Sequence, residues 1–291
     1  MSVVVPARNE AANLPHVLSR LPADVHEVIL VDGDSVDGTV EAARACRPDV
    51  RVVRQTRRGK GNALACGFAA VTGDVVVMLD ADGSADPQEI ERFVAALVQG
   101  ADFAKGTRFA HGGRSDDITT FRRLGNAWLN WLVNRMFSTR YTDLCYGYNV
   151  FWADLLPALD LPPLLADGDG GMLWGDGFEI ETLINIRLAR AGAHIAEVGS
   201  VEFPRLHGES NLRPVSDGLR VLKTILTERR RRAAPLPEPR PDRGGLHRPD
   251  QHLDLRSARR VEPHRVEPHR VEAPRQQRPV PTAGLHGSDN S

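Results

Sequence analysis

The sequence predicts an α/β protein: a mostly parallel central sheet with helices on both faces, followed by a tail that builds no core. Two observations carry the sheet. Short apolar, β-rich runs alternate with segments whose apolar residues recur at three-to-four spacing, and each run ends in a polar or Gly-rich turn. A third observation separates the tail: ten of the twenty prolines fall in the last 64 of the 291 residues. From Glu228 to Ser291 there are 14 Arg and no Lys against 9 Asp plus Glu, and no aromatic residue. Such a stretch offsets too little chain entropy to fold, so one domain is expected over 1–227 and a disordered Arg/Pro-rich tail over 228–291. Residues 1–227 hold every Phe, Tyr and Trp and are long enough to bury a proper core.

The elements follow in order. Val3 to Val5, Glu27 to Val31, Val50 to Val53, Val75 to Leu79 and Ala101 to Lys105 read as strands. Between them Ala11 to Leu21, Thr39 to Cys46, Asn62 to Val71 and Pro87 to Gln99 read as helices, the last with an N-cap at Asp86, Pro at N1 and Glu89 in its first turn. The second half is less regular: a long helix from Thr120 to Phe137, an extended piece from Gly147 to Trp152, a helix from Phe178 to Ala191 and a strand from His194 to Val198. An amphipathic helix from Val215 then runs into Arg229-Arg230-Arg231-Arg232. Beyond it, Arg260-Val-Glu-Pro-His repeats as a five-residue proline-bearing unit, a solvated spacer rather than a solenoid.

Composition excludes several classes. A net charge of −1 with the basic excess confined to the tail argues against nucleic-acid binding, which calls for a strongly basic folded domain. Cys46, Cys66 and Cys145 are odd in number and form no CxxC pair, which fits a reducing compartment better than disulfides or zinc. No run approaches the ~18 apolar residues of a membrane span, and the first residues lack the long apolar core of a signal peptide. A cytoplasmic protein is expected, in peripheral contact at most with an anionic membrane through Arg229 to Arg232.

The chemistry concentrates where strands end. Val75-Val76-Val77-Met78-Leu79-Asp80-Ala81-Asp82-Gly83-Ser84 places two carboxylates one residue apart after a buried-strand pattern. Alternate side chains converge, so Asp80 and Asp82 suit a hard cation such as Mg²⁺ or Mn²⁺, or a hydroxyl-rich ligand. An EF-hand is excluded, because Ser84 and Ala85 stand where its oxygen ligand and Gly belong; a haloacid-dehalogenase phosphatase fits poorly, because its motif continues Gly-Thr. Glu10 after the first strand, and Asp32 and Asp34 after the second, crowd the same rim in a parallel sheet. Asp37 and Thr39 read as helix caps. Arg57-Arg58-Gly59-Lys60-Gly61-Asn62 opens a helix, where backbone amides and Lys60 suit anion capture; it is neither a Walker loop nor a Rossmann fingerprint. With the acidic rim, it points to a nucleoside diphosphate lying across the strand ends.

Together these segments carry a resemblance. Val3-Val-Val-Pro-Ala-Arg-Asn-Glu10, Val31-Asp-Gly-Asp-Ser-Val-Asp-Gly-Thr39, Gly59-Lys-Gly-Asn-Ala-Leu64, Met78-Leu-Asp-Ala-Asp-Gly83 and Lys105-Gly-Thr-Arg108, in this order and spacing, resemble a family 2 glycosyltransferase of the GT-A fold. Within it, the polyprenyl-phosphate (dolichyl-phosphate) mannose and glucose synthases are the nearest type. The resemblance spans about residues 2–226. It implies a nucleoside diphosphate sugar donor, with Pro6, Ala7, Glu10 and Asp32 around base and ribose, and Asp80, Ala81 and Asp82 around diphosphate and metal. The usual Asp-Asp-Gly-Ser reads Asp32-Gly33-Asp34-Ser35 here; the usual Asp-x-x-Ser-Gly-Phe-Arg reads Asp143-Leu-Cys-Tyr-Gly-Tyr-Asn149. The Arg-x-x-Gly-x-Ser element is matched by Arg205-Leu-His-Gly-Glu-Ser210.

The reaction this implies is inverting transfer of a hexose to a polyprenyl phosphate, with Arg108, Arg123, Arg205 and Ser210 gathered on the acceptor phosphate. A phosphate nucleophile is already ionised and needs no base. A hydroxyl acceptor would need one, and Asp176, Glu179 and Glu181 are the candidates. A hydrolase and a catalytically idle nucleotide-binding module are the further alternatives.

Overall fold

The computed structural model describes residues 1–164, 171–209 and 212–238. Four parallel strands build one half of the sheet: β1 (Ser2–Ala7), β2 (Glu27–Asp32), β3 (Arg51–Arg54) and β4 (Val75–Met78). Val3, Val4, Val5 and all of β4 are buried, as continuous apolar runs covered on both faces must be. The other half holds β5 (Phe103–Thr107), β7 (Asn149–Trp152) and β8 (Ile195–Gly199), giving the order β3-β2-β1-β4-β7-β5-β8. A two-residue strand β6 (Arg114–Ser115) pairs with β9 (Val201–Glu202) in a small second sheet, too short to leave a periodic signal.

The expected strands and helices appear within a few residues of their predicted bounds. The departure is β7, which runs antiparallel to both β4 and β5. Apolar alternation carries no direction, so this strand could be read as extended but not as reversed. The helices are α1 (Leu14–Leu18), α2 (Thr39–Cys46), α3 (Lys60–Ala70), α4 (Ile90–Val98), α5 (Thr120–Phe137), α6 (Ile180–Ala191) and α7 (Pro214–Glu228). Asp86 accepts from the Gln88 amide at 3.0 Å and caps the short 3₁₀ turn that leads into α4. Helix α3 lies close on the sheet because Gly67 has no side chain: a Cβ there would meet Val4 Cγ1 at 2.3 Å.

Helices α5, α6 and α7 share a smaller cluster of Leu129, Val133, Leu144, Ile186, Val221 and Ile225 beside the main core. The chain stays packed past the expected edge at residue 227. Glu228 is buried against Arg187 at 2.8 Å, Arg231 pairs with Asp160, and Leu236 lies partly covered on the core. The five-residue repeats lie outside the described residues.

Candidate active site

Because β1, β2 and β4 are parallel neighbours, their carboxyl ends open onto one rim, with Ala7 paired to Asp32 across β1 and β2. Glu10 is buried there, its amide donating to Thr39 Oγ1 at 2.9 Å and its carboxylate accepting from Asn13 Nδ2 at 2.6 Å. Thr39 therefore steadies Glu10 rather than capping α2; Asp37 accepts from the Thr39 and Ala11 amides, both at 3.0 Å. Asp32 receives the Ser35 amide at 3.3 Å, as a rim acid that orders its own turn. Asp34 turns outward to an exposed pair with Arg54 at 2.7 Å, which separates it from the other acids of the rim.

Asp80 and Asp82 follow β4 with side chains 36% and 23% exposed, while Ala81 between them is buried. Each carboxylate faces a cation of the protein. Lys60 Nζ lies 2.7 Å from Asp80 and 2.7 Å from Glu181 at the start of α6. Burial alone would lower the Lys60 pKa, but the two carboxylates outweigh it and hold the ammonium well above its ordinary range. Burial pushes the Glu181 carboxyl up, and Lys60 offsets this only in part. Gly147 closes the trio: a Cβ on it would sit 2.9 Å from Lys60 Nζ.

The loop before α3 differs from the open anion cradle that the sequence suggests. The Gly61 and Asn62 amides donate to the Asp176 carbonyl at 2.7 and 3.2 Å, so these two amides at the start of α3 are spent on the chain itself. Gly59 and Gly61 are required by that close approach, since Cβ atoms on them would fall 2.1 Å from Asp176 O and 1.9 Å from Gly175 O. Lys60 of this loop reaches the rim.

The acceptor arginines do not converge as expected. Arg108 is 4% exposed and forked onto Asp143, with a further contact to Glu202 at 3.0 Å. Its charge is consumed in neutralising two buried acids, the stronger demand once both sit in low dielectric. Burial works to raise the Asp143 pKa, yet the Arg108 fork overrides it and the carboxyl lies below its ordinary value. Arg205 instead joins the acidic rim, paired with Glu10 and lying 3.4 Å from Asp82. Its segment lies over the motif: the Leu206 amide donates to Asp82 O at 3.3 Å and the Phe203 amide to Ser84 O at 2.8 Å. Arg123 stands exposed on α5 over the Phe109 ring at 5.7 Å, and Ser210 lies outside the described residues.

The three base candidates are likewise committed. Asp176 is forked by Arg57 at 2.7 and 3.0 Å and Glu179 by Arg220 at 2.8 and 2.7 Å, while Glu181 is paired with the Lys60 ammonium at 2.7 Å. Burial pushes Glu179 up, but the Arg220 fork leads it below its ordinary value. None of these partnerships was legible in the sequence, because Arg57 and Asp176 stand 119 positions apart and no spacing rule joins them.

Two hard carboxylates make a partial shell, and among the described residues no group of three acids, histidines or cysteines gathers as a metal site. Asp80 and Asp82 already face positive charge, so they fit a divalent ion whose remaining ligands come from outside the protein rather than one caged by protein alone.

The family model for Glycosyl transferase family 2 matches residues 2–153, and the chain belongs to that family: it is a glycosyltransferase of the GT-A fold. It is 36% identical over 219 residues to the undecaprenyl-phosphate mannosyltransferase of Micrococcus luteus, covering 72% of this chain and 86% of that one. With the dolichol-phosphate mannosyltransferase of Pyrococcus furiosus it shares 29% identity over 223 residues, 73% of this chain and 59% of the relative. Among solved structures, the glucosyl-3-phosphoglycerate synthase of Mycobacterium tuberculosis in complex with Mn²⁺, UDP and glucosyl-3-phosphoglycerate superposes with a TM-score of 0.56 at 25% identity, covering 78% of each chain.

Proposed function

We propose that the protein transfers a hexose, with inversion, from a nucleoside diphosphate sugar to a polyprenyl phosphate, with Mg²⁺ or Mn²⁺ bound. The observation that carries the acceptor is the commitment of Asp176, Glu179 and Glu181 to Arg57, Arg220 and Lys60. All three carboxylates are engaged by cations of the protein, which disfavours them as the base a hydroxyl would need, and a phosphate acceptor requires none. The mannosyltransferase relatives, which act on undecaprenyl and dolichol phosphates by name, support the same choice.

On this reading Pro6, Ala7, Glu10 and Asp32 receive base and ribose, and Asp80, Ala81 and Asp82 face the diphosphate. The ion would be held by Asp82 and Asp80, and when bound it supplies positive charge to the leaving diphosphate. Lys60 fixes the Asp80 carboxylate toward the rim, and Arg205 pairs with Glu10 and lies against Asp82. A preset arrangement of charge lowers the barrier because nothing has to reorganise as the glycosidic bond breaks. A lipid acceptor places the enzyme at the cytoplasmic face of a membrane in peripheral contact.

A second reading, transfer to a hydroxyl acceptor, rests on the raised pKa of Glu181 and on the phosphoglycerate complexes of the structural neighbour. Incubation with a panel of nucleotide sugars and Mn²⁺, with undecaprenyl phosphate or with 3-phosphoglycerate, separates the two. A glycolipid phosphate that migrates as a single product is expected. Product only from the hydroxyl acceptor would replace the first reading with the second, and phosphate release without product would make the protein a hydrolase.

A further inference from the structure

Helix α5 is apolar on two opposite sides. Leu129 and Val133 face inward, into the cluster shared with α6 and α7, with Asn126 and Asn130 buried beside them. Away from them, Phe121, Leu124, Trp128 and Trp131 are 66%, 67%, 50% and 61% exposed. Their spacing of three and four residues sets them in one stripe along the helix. Helix α7 repeats the pattern in a smaller way, with Val215, Leu219 and Leu226 all more than half exposed while Val221 and Ile225 pack inward. Scattered exposed apolar residues are ordinary, but an aligned stripe holding two tryptophans marks a contact surface.

The charge around the stripe chooses the partner. Between Thr120 and Phe137 there is no Asp or Glu. Arg123, Arg135 and the following Arg140 carry no acidic partner among the described residues, and Arg229 and Arg230 at the end of α7 have none either. A second copy of the same face would set arginine against arginine. An anionic bilayer meets every feature at once: tryptophan favours the headgroup level, the aliphatic side chains enter below it, and the arginines reach lipid phosphates.

We propose that α5, flanked by the exposed edge of α7, is an in-plane docking surface for an anionic lipid bilayer. The proposal deepens the membrane contact of the lipid-acceptor reading, and rests on that reading for its purpose. It moves the contact from Arg229 to Arg232, where Arg231 is already paired with Asp160, onto the tryptophan stripe. The packed side of α5 leads straight to the site. Asn126 Nδ2 donates to Asp143 at 3.0 Å, and Asp143 is the acid that Arg108 forks. A bilayer seated on α5 is thus separated by one helix from the network beside the sugar-transfer rim.

The test uses the full chain without donor or acceptor, so its outcome is independent of catalysis. Sedimentation with phosphatidylglycerol vesicles should carry the protein down, phosphatidylcholine vesicles should do so far less, and added salt should weaken the binding. On binding, tryptophan emission should shift to the blue and become shielded from acrylamide. The double substitution Trp128→Ser and Trp131→Ser should weaken binding about tenfold or more, and Phe121→Ser with Leu124→Ser should act in the same direction. Val36→Ser, at a residue 90% exposed elsewhere, should change nothing. Absence of vesicle binding by the unsubstituted chain would overturn the proposal. So would binding unaltered in both stripe variants, or a dimer in solution that Trp131→Glu dissociates. Turnover of a short-chain, water-soluble polyprenyl phosphate reports separately on the transfer reaction, so loss of docking and loss of the functional reading are told apart.

Discussion

Lys60 and Asp80 are joined through a 2.7 Å ion pair, and Glu181 grips the same ammonium from its other side. The trio therefore carries one net negative charge where the diphosphate and its metal would sit. Replacing Glu181 by Gln leaves Lys60 and Asp80 as a neutral pair. Loss of one unit of negative charge about 8 Å from a divalent ion, across Lys60 and Asp80, is worth about 1–4 kcal/mol, depending on solvent access. We expect Glu181→Gln to raise the Mn²⁺ concentration needed for UDP binding about tenfold or more, while UDP binding without metal becomes tighter. Calorimetric titration with and without Mn²⁺ reads both, and an unchanged metal dependence would leave Glu181 with a role in packing alone.

Asp82 stands at a strand end, partly exposed, and receives the Ser84 amide at 3.0 Å. Its removal should leave the core untouched. Asp82→Ala is expected to lose about 10²-fold or more in turnover, the usual cost of deleting a charge-stabilising group. Asp80→Ala should be nearly as severe. Unaltered thermal melting alongside the lost rate would separate chemistry from folding, and full activity with added Mg²⁺ would refute the metal assignment.

Much of the fold and part of the site could be read from the chain. The strands announce themselves because β1 and β4 are unbroken apolar runs, and Glu10, Asp32, Asp80 and Asp82 follow such runs directly. What stayed hidden is pairing between distant segments. Arg108 meets Asp143 across 35 positions, Arg205 meets Glu10 across 195, and both were expected at an acceptor phosphate. An arginine near a rim looks the same in sequence whether it awaits a ligand or neutralises a buried acid. The direction of β7 was hidden for a related reason, since its reversal depends on the connection through α5.

Arg108 accordingly belongs to a stability test. Removing one partner of a buried ion pair leaves the other unpaired, at about 3–5 kcal/mol. Arg108→Ala should lower the denaturant midpoint by a corresponding amount, and Arg108→Lys should rescue little because lysine cannot fork. A variant of normal stability with a raised KM for the lipid phosphate would return Arg108 to the acceptor.

The same network sets a pH response. Asp143 has a lowered pKa in the folded protein, mainly because the Arg108 fork overcomes burial. Its contribution is therefore complete above the unfolded value of 3.8 and disappears as pH falls below that toward the folded value. Glu179, lowered through Arg220, behaves in the same sense from 4.5 downward. These groups make stability, measured by denaturant titration, fall as pH drops below about 4.5, and in Asp143→Asn the Asp143 share of that loss should be missing while the Glu179 share remains.

Arg205 now stands between Glu10 and Asp82, so its substitution tests the donor side. A guanidinium on Asp82 competes with a metal ion for the same oxygens. In Arg205→Ala that competitor is gone, and Mn²⁺ without nucleotide should bind more tightly by severalfold. The two acids are then uncompensated, however, and repel an incoming diphosphate. UDP without metal should bind more weakly, by about tenfold for a charge at this range in a half-solvated site. Opposite shifts for metal and nucleotide are the signature of a counterion, and a merely structural residue would produce neither. If donor and metal binding both stay constant while the KM for the lipid phosphate rises, Arg205 leaves its pair with the acids during turnover and serves the acceptor instead.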